Sequence, residues 1–114
     1  MNIIDSYQFG RIVVNGKHYT SDVIIFPDRV NDNWWRNTSH QLHLDELSEA
    51  IAAKPEVLIV GTGASGLMKV LPEVRESLEA QGIKLVVKPT EEACQIYNQI
   101  CHSQRVVAAL HLTC

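Results

Sequence analysis

Val57-Leu58-Ile59-Val60-Gly61-Thr62-Gly63-Ala64-Ser65-Gly66 is the stretch on which the fold turns. Four apolar residues with no polar alternation suit a short strand buried on both faces. The glycines that follow turn the chain sharply out of a sheet. Pro72-Glu73 opens a helix running to Gly82, because proline is tolerated in a first helical turn and glycine stops a last one. Ile83 to Lys88 reads as a second strand. Thr90 is expected to cap a helix from Glu91 to about Cys101, with Ala93, Tyr97, Ile100 and Cys101 on its inner face. Arg105 to Leu112 reads as a third strand. A β-α-β-α-β order of this kind implies a parallel sheet with right-handed crossovers.

Upstream, the first 30 residues read as β. Arg11-Ile12-Val13-Val14 and Lys17-His18-Tyr19-Thr20 flank Asn15-Gly16, a pair that tolerates the positive φ of a two-residue hairpin turn. Val23 to Phe26 forms a further strand, stopped by Pro27-Asp28. Residues 28 to 43 are polar, with two tryptophans, and are expected to be an irregular structured loop. Leu44 to Lys54 reads as a helix ended by Pro55, with Leu44, Leu47, Ala50 and Ile51 on one face and acids in its first half. The expected architecture is α/β: one compact domain over residues 1–114, with a β-hairpin layer packed beside a β-α-β-α-β half. Its sheet should be mixed, largely parallel and flanked by helices.

Composition narrows the function. The 114 residues are 46% hydrophobic and 20% charged, which suits one globular domain with a core of its own. Ten basic against thirteen acidic residues leave a formal charge of -3, so the basic face of a general nucleic-acid binder is not expected. No run approaches the roughly 18 apolar residues of a membrane span. The N-terminus shows no secretory signal. Three cysteines are an odd set, and Cys94 and Cys101 lie about 10 Å apart along one helix, too far to bond. A reduced cytosolic chain is the expectation.

Gly61-Thr62-Gly63-Ala64-Ser65-Gly66 matches G-x-G-x-x-G. A dinucleotide fold uses such glycines to seat pyrophosphate at a helix N-terminus. Here Pro72 delays the regular helix, no acid closes the second strand at Val86-Val87-Lys88-Pro89, and the second mononucleotide half is missing. Two other readings stand beside it. One is a close-packed corner leaving the sheet. The other is a crevice for a small anion or polar ligand, built from Gly61, Gly63, Ser65, Lys69 and Thr90, with Arg36 nearby. No cofactor is expected.

Trp34-Trp35-Arg36 lies in the polar loop. Arg36 is able to stack on an indole or to offer its fork to a carboxylate. The loop is read either as anchored by buried indoles or as a partner-binding spot formed by Trp34, Trp35 and Arg36. Cys101, His102, His111 and Cys114 have no zinc spacing, and no companion acid makes a catalytic Cys-His pair. Buried, inert cysteines are expected, with no metal site and no catalytic residue.

Several segments together carry a likeness. They are the early hairpin, Trp35-Arg36, Val57-Leu58-Ile59-Val60-Gly61-x-Gly63, Leu67-Met68-Lys69-Val70 and Gly82-Ile83. Thr90-Glu91-x-Ala93, Tyr97-Asn98 and the ending His111-x-Thr113-Cys114 complete the set. In order and spacing, over nearly the whole chain, they resemble the Mth-domain family of unknown function. Its branches include an adipogenesis-associated domain protein and a mitochondrial complex I assembly factor. The resemblance implies a compact α/β domain that works through protein partners and assembly. It carries over no catalytic residue; Ser65, Lys69 and Thr90 match its pattern around the turn. A non-enzymatic cytosolic accessory protein with an unidentified protein partner is therefore expected, with self-association left open and neither nucleic acid nor membrane as partner. The alternative is a small-anion binder or enzyme at the Gly61–Lys69 turn.

Overall fold

A computed structural model describes residues 2–36 and 40–114. The chain begins with a three-stranded antiparallel meander, β1 (Ile4–Gln8), β2 (Arg11–Val14) and β3 (Lys17–Tyr19). The expected hairpin turn is present, with Asn15 at φ 51° and Gly16 at φ 79°. β4 (Val23–Ile25) and the two-residue β5 (Val30–Asn31) follow. After the loop come β6 (Gln41–Leu42), a 3-10 turn at Leu44–Leu47 and α1 (Ser48–Ala52). The second half runs β7 (Val57–Thr62), β8 (Lys69–Val70), α2 (Pro72–Ala80), β9 (Lys84–Lys88), α3 (Thr90–Ile100) and β10 (Val106–His111).

The central sheet has five strands in the order β5-β4-β10-β7-β9. β10, β7 and β9 are parallel, as the alternating strands and helices require, and β4 and β5 add antiparallel on one side. Every residue of β7 and of β10 is buried. Successive side chains on a strand take opposite faces, so the runs feed two cores at once. Val57, Ile59, Ala108 and Leu110 face one core, shared with Ile12, Val14, Ala93 and Tyr97 of the meander and α3. Leu58, Val60, Val107 and Ala109 face the other, shared with Trp34, Leu47, Ala50, Val74 and Leu78. The result is one compact α/β domain: a mixed sheet with the meander and α3 on one side, and α1 and α2 on the other.

Three expectations need correction. The helix over Leu44–Lys54 is shorter and begins as a 3-10 turn, with Lys54 at φ 52° just before Pro55. The loop over 28–43 is not wholly irregular: β5 pairs with β4, and β6 pairs in parallel with β8, whose backbone it meets across the chain. Residues 37–39 of that loop lie outside the described residues. Thr90 is the first residue of α3 rather than its cap, because its hydroxyl is turned into the core.

Candidate functional site

The carboxyl ends of β7 and β10 meet at the glycine corner. Gly61 is still in β7, and a Cβ on it would stand 2.8 Å from Leu110 Cδ2 and 2.9 Å from Thr90 Oγ1. Glycine is needed there so that α3 can approach the sheet. Gly63 takes φ 103°, and a Cβ on it would stand 2.7 Å from the carbonyl oxygens of Thr113 and Cys114. The corner is thus packed against the chain's own last residues.

Its amides are engaged within the protein. Gly63 N–H donates to Thr90 Oγ1 at 2.9 Å, and that hydroxyl donates onward to the His111 carbonyl at 2.6 Å. Ala64 N–H donates to the Thr113 carbonyl at 2.7 Å, and Gly66 N–H to the Gly63 carbonyl at 3.2 Å. Thr62 Oγ1 donates to the Lys88 carbonyl at 3.1 Å. A cradle for pyrophosphate needs several amides aimed outward; three of those in this turn are aimed at protein acceptors. The regular helix starts only at Pro72. Of the sequence-selected residues, Gly61, Gly63 and Thr90 meet in this buried corner, whereas the Ser65 and Lys69 side chains are exposed.

A second cluster lies at the same end of the sheet. Asp22, just before β4, accepts the Leu112 N–H on Oδ1 at 2.8 Å. Its Oδ2 meets His111 Nδ1 at 2.8 Å and forms an ion pair with Arg36 Nη2. The same Nδ1 lies 2.7 Å from Arg36 Nη2, so the ring, the guanidinium and the carboxylate converge on one point. Arg36 Nη1 also lies 3.1 Å from Met68 Sδ, and its guanidinium carbon sits 5.0 Å from the Trp34 ring centre. Both expected uses of Arg36, stacking and carboxylate binding, are met by one side chain. The Arg36 and His111 side chains are only 5% and 4% exposed. Burial works to raise the Asp22 pKa, but hydrogen bonds from His111, Leu112 and Arg36, with attraction to His111, outweigh it. The carboxyl is held below its ordinary range.

This cluster pins the tryptophan loop. Trp34 is buried, its amide donating to the Asp22 carbonyl at 3.2 Å and its indole N–H to the Glu46 carbonyl at 2.9 Å. Trp35, between two anchored neighbours, is 72% exposed. The three residues proposed together from sequence therefore divide: Trp34 and Arg36 hold the loop, and Trp35 is presented. The other large exposed apolar residues among the described residues, Phe9 and Leu67, sit on loops tied to the same end. Gly10 N–H, beside Phe9, donates to the Leu112 carbonyl at 2.8 Å. Leu67 precedes Met68, the residue against Arg36.

Asp22, and its pairing with His111, escape sequence reading. Asp22 reads only as the polar residue before a strand, and its partners lie far along the chain with no periodicity to link them. The cysteine expectation also needs correction. Cys94 is buried, and desolvation pushes its thiol up to about 12, but Cys101 is half-buried and Cys114 is exposed. Among the described residues, no three His, Cys, Asp or Glu side chains gather as a metal set.

The fold and this end of it define a class: a small α/β domain whose strand ends close on their own C-terminal residues, leaving an exposed indole on a fastened loop. The chain belongs to the protein family of unknown function DUF498/DUF598, whose family model matches residues 4–111. It is 31% identical over 109 residues to NADH dehydrogenase (ubiquinone) 1 alpha subcomplex assembly factor 3 of Bos taurus, covering 93% of this chain and 58% of that protein. The chain thus spans little more than half the length of such relatives. Among solved structures it is similar to a conserved hypothetical protein of Pyrococcus horikoshii OT3. There the TM-score is 0.84 at 29% identity, over 97% of this chain and 98% of that one. A Mth938-like domain protein of Bordetella pertussis shares the fold with a TM-score of 0.76 at 24% identity, over 97% and 85% of the two chains. The Mth-type resemblance read from the sequence therefore holds.

Proposed function

We propose that this protein is a non-enzymatic accessory factor that binds another protein through the carboxyl end of its sheet, with Trp35 as the anchor. The observation that carries this reading is the exposed Trp35 indole between two immobilised neighbours. An aromatic on a backbone fastened at both sides has little main-chain freedom left to lose on binding, and large exposed aromatics are the usual interface hot spots. Phe9 and Leu67, on loops tied to the same end, extend the apolar surface. The name of the Bos taurus relative contains the words assembly factor, and we extend an assembly role to this chain. We place it in the cytosol, a reducing compartment that suits three free thiols.

The test is co-purification. Tagged full chain should retain a stoichiometric partner, or a second copy of itself, and Trp35→Ala should lose it while keeping the wild-type melting temperature. Undiminished retention by Trp35→Ala would move the interface elsewhere. The competing reading, an anion site at the Gly61–Lys69 turn, keeps the exposed Ser65 hydroxyl and Lys69 ammonium as its donors. A rise in melting temperature with inorganic phosphate that vanishes in Lys69→Ala would favour it.

A further inference from the structure

β9 ends the five-stranded sheet, and among the described residues no strand pairs with its outer side. Its sequence is Lys84-Leu85-Val86-Val87-Lys88, with both lysines exposed and the three apolar residues half-buried. Lys84 N–H donates inward to the Glu56 carbonyl at 3.1 Å. In a parallel ladder, alternate residues bond to the same neighbour, so Lys84, Val86 and Lys88 direct their backbone groups to β7. Leu85 and Val87 present their N–H and C=O groups outward, as an unpaired edge does. Beside this edge lies a hollow of about 310 Å³, lined by Arg75 and Glu79 of α2 with Ile83, Lys84 and Leu85. A free edge whose first two residues line a helix-walled hollow combines the backbone groups and the side-chain pocket that strand-adding peptide sites use.

We propose that the β9 edge binds an extended segment of another protein by strand addition, the segment having the pattern acid–apolar–apolar–apolar–acid. Charge decides the occupant. A second copy of this chain pairing antiparallel about Val86 would set Lys84 opposite the mate's Lys88, and like charges directly opposite are unfavourable. A guest with acids at both ends meets both ammonium groups instead. The pattern reads the same in either direction, so it holds for parallel or antiparallel entry. Glu92 already approaches Lys88 at 3.5 Å, but both groups are exposed, and an ammonium has three donors to share. Of the three apolar positions, the second and fourth of the pattern lie beside Leu85 and Val87 on the α2 side and the middle one beside Val86 on the α3 side. This surface is separate from the Trp35 loop.

The probe is a fluorescein-labelled peptide, Ser-Glu-Val-Ile-Val-Glu-Ser, with a control in which both glutamates are lysine. Anisotropy should show saturable binding of the acidic peptide at least tenfold tighter than the control, weakening as salt rises. Amide resonances of Leu85 and Val87 should shift on titration. Val87→Pro removes one outward N–H and no ladder bond, and should abolish binding. A Lys84→Glu, Lys88→Glu double variant should reverse the preference between the two peptides, which keeps the test meaningful even where the proline variant misfolds. Trp35→Ala should bind the peptide as wild type does, so loss of the Trp35 interface and loss of this one are told apart. Equal affinity for both peptides, shifts confined to other strands, or self-association through β9 would overturn the proposal.

Discussion

Replacing Thr90 with valine removes one oxygen from the buried corner and leaves its shape in place. Thr90 is 0% exposed; its hydroxyl accepts from Gly63 N–H at 2.9 Å and donates to the His111 carbonyl at 2.6 Å. The one oxygen therefore joins the end of β7 to the end of β10 through the first turn of α3. In valine both backbone groups lose this partner in a space closed to water. A stranded buried polar group costs about 1–3 kcal/mol, and carbonyls tolerate the loss better than amides, so about 3 kcal/mol is expected for the pair. Unfolding entropy of roughly 2.1 cal/mol/K per residue over 114 residues converts this to a drop of about 12 °C in melting temperature. Thr90→Ser keeps the hydroxyl and gives up one methyl, worth about 1 kcal/mol. Urea unfolding followed by far-ultraviolet circular dichroism reads both variants, with the slope on urea unchanged if only the folded state is affected. A valine variant no less stable than the serine one would refute the reasoning, since the hydroxyl would then hold nothing together.

Gly61→Ala drives a methyl against Leu110 Cδ2 and, at 3.2 Å, against the Thr90 Cα, so about 1–3 kcal/mol of stability should be lost in the same urea assay. Trp34→Ala empties a buried site that also holds Arg36 and should cost about 3–5 kcal/mol, whereas Trp35→Ala should stay within about 0.5 kcal/mol of wild type by thermal melting. Asp22 gives a pH dependence. Its folded pKa lies below the ordinary 3.8, so its stabilisation is complete above that value and is lost as pH falls through the folded pKa. Stability measured by urea across that acid range should fall less steeply in Asp22→Asn than in wild type.

The parallel core was legible because its runs are apolar at every position. Val57–Val60 and Val106–Leu110 fit strands covered on both faces, and Pro72 and Gly82 bracket α2. Asn15-Gly16 was equally plain, since few other pairs accept two positive φ angles in succession. β6 and β8 were not legible: two residues each, paired across an intervening helix, they leave no period to read. Thr90 shows why a local rule fails. A threonine before Glu91-Glu92 has the form of a helix cap, yet its hydroxyl serves two strands instead. The Asp22–His111–Arg36 cluster exists only because β10 lies beside β4, and the pairing of those strands is a property of topology.

The interface at the strand ends is tested most directly by a photoreactive benzophenone side chain placed at residue 35 of the full chain in its native cells, with a second placement at the exposed Gln104 as control. A single discrete adduct from position 35, absent from position 104, is the expected result. Adducts from position 104 alone, or none from position 35 while a partner still co-purifies, would contradict it.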